Sequence, residues 1–247
     1  MSIAENIKTI KENIRNAAMA AGRDPREILL CAATKTNGAD AVRQAITAGV
    51  DCCGENRVQE LTAKLAEHAY DGAPVHFIGR LQTNKVRQVV GQVSLIHSAD
   101  RMKLLEAINT EAARQGIVQD ILLQINIGEE ASKGGFLESE LPEILPKMGS
   151  FSNIRVRGLM AIPPICEDSS GNDKFFQKMY NLSVDISAKK YDNVTMDIMS
   201  MGMSNDYVSA IRWGSTMIRI GTAIFGARNY TQSHPQCDVN ILEDIQR

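Results

Sequence analysis

The sequence predicts a single (β/α)8 TIM-type barrel with an extra N-terminal helix, on three observations. Its 247 residues match the ~200–250 that such a barrel occupies as one unit. Eight β-rich runs alternate with helical stretches, the pattern of parallel βαβ units. The turn after the first run, ATKTNGAD, lacks the GxGxxG that the competing open, doubly wound sheet usually carries there.

The chain opens with a helix over 3–21, where Ile3, Ile7, Ile10 and Ile14 form one stripe interrupted by Lys and Glu. That spacing is amphipathic and unlike the unbroken apolar centre of a targeting segment, so the helix is expected to pack on the barrel. Strand candidates follow at 28–34, 50–55, 75–80, 94–98, 117–126, 154–162, 193–201 and 216–226. Helical candidates lie near 39–48, 56–69, 83–90, 100–115, 138–148, 172–189 and 204–212. SSGN at 169–172 reads as a surface loop, and no repeat or interdomain linker interrupts the chain, so residues 1–247 are expected to form one domain.

Composition narrows the function classes. With 44% hydrophobic and 23% charged residues, a full core can form without staples. The net charge is −2 and no five like charges run together, which argues against nucleic acid or a membrane surface as partner. No apolar run approaches the ~20 residues of a bilayer span, and a soluble, cytoplasmic monomer is expected. The five cysteines, Cys31, Cys52, Cys53, Cys166 and Cys237, show no paired zinc-ligand spacing and read as reduced thiols. Cys52 and Cys53 are strand neighbours whose side chains face opposite ways, so no disulfide joins them.

A barrel of this kind carries its site at the C-terminal ends of the strands. Those ends are polar here: Lys35 on the first, Glu55 and Asn56 on the second, His76 and Arg80 on the third, His97 on the fourth, Ser200 on the seventh and Arg219 on the eighth. Lys35 leaves an apolar strand into a concave space, where desolvation favours the neutral amine that attacks aldehydes. The ordinary alternative is a lysine reaching to solvent.

In the eighth run, alternation puts Met217, Arg219 and Gly221 on one face. A guanidinium in an apolar strand requires a dedicated partner; a salt bridge across the barrel is the structural alternative. Phosphate in such barrels is commonly held by the loops after strands seven and eight. Ser200 and Gly202 in SMGMSND, and Gly221 and Thr222 in RIGT, suit that task; a simple helix cap at Ser204 is the competing reading. A lysine on strand one with an anion cradle on strands seven and eight describes a phosphorylated aldehyde, and pyridoxal 5′-phosphate is the common cofactor of that description. His76 and His97 are weaker candidates, more often core residues than an acid and base. The Met196, Met199, Met201 and Met203 tract is expected to fill core or pocket space.

The motifs GENRVQE (54–60), HFIGRLQTNK (76–85), KGGF (133–136), RGLMAIPP (157–164), LSVDISAKKYDNVTMDIMSMGMSNDY (182–207) and GSTMIRIGTAIFGARNY (214–230), with ATKT around Lys35, resemble the pyridoxal phosphate homeostasis proteins, small relatives of the alanine racemase barrel. The resemblance implies that Lys35 carries the cofactor as a Schiff base and that Arg219 faces the pyridine nitrogen. It further implies that Ser200, Gly202, Gly221 and Thr222 hold the phosphate, with Asn56 and His76 near the ring. Family members usually have Ser-Lys-Thr where this chain has Thr34-Lys35-Thr36, and a hydroxyl is retained.

Three function classes follow. One is a binder of the cofactor serving vitamin B6 balance, which passes it to apo-enzymes. A second is a racemase or decarboxylase; related racemases bring a second acid/base tyrosine from an added β domain, for which a one-barrel chain leaves no room. A third is a sugar-phosphate barrel enzyme using Lys35 on its substrate. The first is expected, with no catalytic residues assigned.

Overall fold

The structure, a computed structural model, describes residues 1–164 and 171–226. Part of the SSGN segment, Cys166, Cys237 and the ARNY end of the last motif lie outside the described residues.

Eight parallel strands close in sequence order, each paired with its neighbours and the last with the first. They are β1 (Leu29–Ala33), β2 (Cys52–Glu55), β3 (Val75–Phe77), β4 (Leu95–Ala99), β5 (Gln119–Ile125), β6 (Ile154–Ala161), β7 (Val194–Ser200) and β8 (Met217–Ile220). Helices α1 (Ile3–Ala20), α2 (Ala39–Thr47), α3 (Val58–Ala66), α4 (Met102–Gln115), α5 (Leu141–Ile144), α6 (Asp173–Lys189), α7 (Tyr207–Arg212) and α8 (Thr222–Phe225) accompany them. The barrel expectation holds, and all eight strand candidates fall on strands.

Where local structure departs from the sequence reading, the cause is local. The eighth run ends at Ile220, because Gly221 turns the chain into the short helix α8. The 83–90 stretch is a 3-10 helix, Thr83–Gln88. Near 138–148, Pro142 and Pro146 each remove a backbone donor, and the helix breaks into Glu138–Glu140, α5 and Leu145–Ser150. Asp206, not Ser204, precedes α7, and its Oδ1 accepts from the Met203 N–H at 2.7 Å.

Two apolar layers result from strand alternation. Leu30, Ala32, Cys53, Phe77, Ile96 and Leu123 point outward into the large core beneath the helices. That core includes Ile7, Ile10, Ile14 and Ala18 of α1, whose start is closed by a Ser2/Glu5 capping box. Cys31, Ala33, Cys52, Leu95, Leu122, Met160 and Met217 point inward and fill the barrel. Gly158 lets β6 meet β7: its φ is +149°, and a Cβ there would stand 1.8 Å from the Ile198 carbonyl oxygen, so only glycine is tolerated. The methionine tract divides, with Met199 and Met201 buried and Met203 exposed.

Candidate functional site

Inward parity on each strand selects the site. Continuing Cys31 and Ala33 on β1 gives Lys35, and Cys52 and Gly54 on β2 give Asn56. On β3 it selects His76, on β4 His97, on β7 Ser200, and on β8 Met217, Arg219 and Gly221. Lys35 and Asn56 are half-buried, Ser200 is buried, and Gly221 is half-exposed beside the exposed Thr222. Glu55 falls on the other parity, fully buried on the outer side of the sheet. Arg80 is exposed. Neither belongs to the site, contrary to their position at strand ends.

The β1–β8 seam brings the lysine strand against the arginine strand, with Cys31 in register with Arg219. Gly221 lies against β1: an added Cβ would meet the Ala33 carbonyl oxygen at 3.3 Å. Gly202 follows β7 with φ +94°, and an added Cβ would stand 2.6 Å from Ala210 Cβ; its carbonyl accepts from Arg219 N–H at 3.0 Å. The loops after β7 and β8 meet where Ala223 N–H donates to Ser204 Oγ at 3.4 Å. Two glycines and a hydroxyl thus line one end of the barrel, beside the first turn of α8, whose leading N–H groups have no partners within the helix.

Arg219, 5% exposed, donates through Nη2 to the Ala161 carbonyl at 2.9 Å and through Nη1 to Ser200 Oγ. Its identified partners are a carbonyl and a hydroxyl, not the carboxylate of a salt bridge. Burial lowers its pKa to about 10, so it remains cationic at neutral pH. Ser200 Oγ also lies 3.0 Å from His97 Nδ1, and His97 Nε2 lies 3.1 Å from His76 Nδ1. A polar chain therefore crosses the interior from β3 through β4 and β7 to β8.

Burial drives both histidines towards the neutral form: His76 falls to about 4, and His97 drops well below its usual value, with the charges of His76 and Arg219 adding to desolvation. A histidine that stays neutral in the fold but protonates when unfolded stabilises the fold fully above the unfolded pKa of about 6.5. That contribution is lost as pH falls towards the folded value. Unfolding free energy should accordingly drop by about 1.4 kcal/mol per pH unit on account of His76 between pH 6.5 and 4. Urea titrations at stepped pH, compared with His76→Asn, should show a shallower slope in the variant; equal slopes would refute the assignment.

Sequence reasoning missed what fixes Lys35. Thr34 Oγ1 donates to Glu55 Oε1 at 2.6 Å, and Lys64 Nζ donates to the Thr34 carbonyl at 2.8 Å while pairing with Glu55. On the other side, Thr36 N–H donates to Glu60 Oε2 at 2.6 Å, and Asn37 Nδ2 donates to the Lys35 carbonyl at 3.0 Å. Thr36 has φ +63°, a strained conformation for a β-branched residue of the kind concentrated at functional sites. Lys64→Met should leave Glu55 as an uncompensated buried charge and cost about 3–5 kcal/mol, read by denaturant unfolding; wild-type stability would show that the pair does not anchor the loop.

Across the site, Gly79 allows the loop after β3 to sit on Asn56, since an added Cβ would stand 2.1 Å from its carbonyl oxygen. Asn56 Oδ1 is buried without a hydrogen-bond partner among the described residues, and a buried acceptor of that kind calls for one. Among the described residues, no helix is long and apolar enough to cross a membrane.

Known proteins share the sequence and the fold. Residues 6–229 match the model of the alanine racemase N-terminal domain. The pyridoxal phosphate homeostasis protein of Pseudomonas aeruginosa is 40% identical over 229 residues, covering 93% of this chain and 97% of that one. The structure of PipY from Synechococcus elongatus with PLP bound superposes with a TM-score of 0.79 at 30% identity, over 91% of this chain and all of that one. An alanine racemase of Clostridium difficile shares the fold at 17% identity and a TM-score of 0.67, with only 57% of its length matched. On these grounds the chain belongs to the pyridoxal phosphate homeostasis protein family, built on the barrel of the alanine racemase N-terminal domain.

Proposed function

We propose that this protein binds pyridoxal 5′-phosphate, held as a Schiff base on Lys35, and serves vitamin B6 homeostasis without catalytic turnover. The observation that carries the reading is the β1–β8 seam, which pairs the strand leading to Lys35 with the strand that carries Arg219 and brings the Gly221 turn against β1. The fit is chemical as well as spatial. Ser200, Gly202, Gly221 and Thr222 offer a hydroxyl and close backbone approach for a phosphate, and the unpartnered Asn56 Oδ1 supplies a polar contact to the ring together with His76. Arg219 faces the pyridine nitrogen as a cation. The likeness to PipY, whose structure holds PLP, supports the cofactor itself.

When bound, the cofactor supplies an aldehyde and an electron sink. This chain's residues bind and orient it, and do little to exploit it. A guanidinium is a poor proton donor to the ring nitrogen, which weakens the sink. A racemase would also need a second acid/base on the far face. Tyr70 and Tyr207 pack in the outer core, Tyr207 OH accepts from Asn13 Nδ2, and Tyr180 is exposed; these tyrosines stand away from the inward face.

The protein then acts as a cytoplasmic, monomeric carrier whose single domain passes the cofactor to apo-enzymes. Its buried free thiols Cys31, Cys52 and Cys53 suit a reducing compartment. The test mixes loaded protein with an apo-enzyme and, separately, with amino acids. Activation of the apo-enzyme is expected, with no racemisation or decarboxylation. Turnover at ordinary enzyme rates of ~1–10³ s⁻¹ would overturn the carrier reading.

A further inference from the structure

The barrel interior holds a second cluster. Cys31 on β1, Cys52 on β2 and His76 on β3 place one sulfur, one sulfur and one ring nitrogen within 4.8 Å of one another, all buried. Spacing along the chain conceals this set; strand register assembles it, with Cys31 opposite Cys52 and His76 opposite Gly54. Gly54 provides the room. A Cβ there would stand 2.9 Å from Cys31 Sγ, so the missing side chain lets that sulfur lean across β2 towards β3.

His76 is prepared for ligation. Its Nδ1 is engaged with His97 Nε2 at 3.1 Å, and His97 is held in turn by Ser200. With the Nδ1 proton given to His97, Nε2 keeps its lone pair, the outer-sphere arrangement that orients most metal-bound histidines. We propose that Cys31, Cys52 and His76 form a Zn2+ site with an open fourth position. Two thiolates and one imidazole are a donor set that zinc favours. The charges cancel: two thiols lose their protons to solvent, two S–Zn bonds form, and a neutral unit remains in the apolar interior. The cluster lies on the β1–β3 wall and shares His76 with the ring side of the cofactor reading, whereas the phosphate cradle lies on β7–β8; its test reads metal and thiolate signals that do not depend on the cofactor.

The test uses the whole protein as purified, stripped of metal and then titrated with Zn2+ and with Cd2+ as a spectroscopic probe. One equivalent should bind, two protons should be released per metal, and Cd2+ should produce thiolate-to-metal charge-transfer absorption. X-ray absorption at the zinc edge of the wild type should give two sulfurs and one imidazole nitrogen in the inner shell. Cys31→Ser and Cys52→Ser should each lose the absorption, while Cys53→Ser, whose thiol faces the outer core, and a Cys166→Ser/Cys237→Ser pair should keep it. An inner shell of oxygen and nitrogen alone, or absorption that depends on Cys166 and Cys237, would overturn the proposal even if the inner-cysteine variants fail to fold.

Discussion

Lys35→Ala is expected to be colourless after purification in the presence of pyridoxal 5′-phosphate, while the wild type is yellow and bleaches with borohydride. The reason is covalent: one amine carries the link, and the remaining contacts are ordinary hydrogen bonds worth about 0.5–3 kcal/mol each. The variant should fold normally. The Lys35 side chain is half-buried at a strand end, and the network that shapes its loop runs through Thr34, Glu55, Lys64 and Glu60. Affinity should therefore fall by orders of magnitude with little change in unfolding midpoint. A variant that retained the visible band would place the link on another lysine.

Arg219→Ala should affect both stability and binding. Removing the guanidinium leaves the Ala161 carbonyl without its Nη2 donor and Ser200 without its Nη1 donor, and opens space among Cys31, Met217 and the histidines. A cavity and stranded polar groups of this kind cost about 2–5 kcal/mol. Cofactor affinity should fall by about ten- to a hundredfold, the worth of one charge-assisted hydrogen bond of about 1.5–3 kcal/mol. Arg219→Lys should restore the charge but not the two-pronged geometry, and recover only part of the affinity. Unchanged binding in Arg219→Ala would remove it from the site. Calorimetry and denaturant unfolding read the two effects separately.

Much of this was legible in the sequence for a simple physical reason: barrel strands carry a period of two, and the site is made of inward positions at their C-terminal ends. Alternation along β8 exposes Arg219 as a charge in an apolar strand, and the same reading on β1 leads to Lys35. At the end of β2 parity separates two neighbours: Asn56 faces inward, so Glu55 faces α3 and meets Lys64. The polar chain His76–His97–Ser200–Arg219 was not legible. It depends on the stagger between strands far apart in sequence, which bring β4 and β7 within hydrogen-bonding distance by barrel shear, not by any local pattern. The strain at Thr36 was equally hidden, since Thr-Asn-Gly reads as an ordinary turn and only the backbone shows φ at +63°.

A cofactor held covalently at Lys35 can be trapped in place. Loaded protein is reduced with borohydride, digested, and its peptides are mapped by mass spectrometry. One reduced pyridoxyl phosphate adduct is predicted, on the peptide containing Lys35. An adduct on any other lysine, or recovery of the cofactor with no adduct formed, would rule out a Schiff base at Lys35.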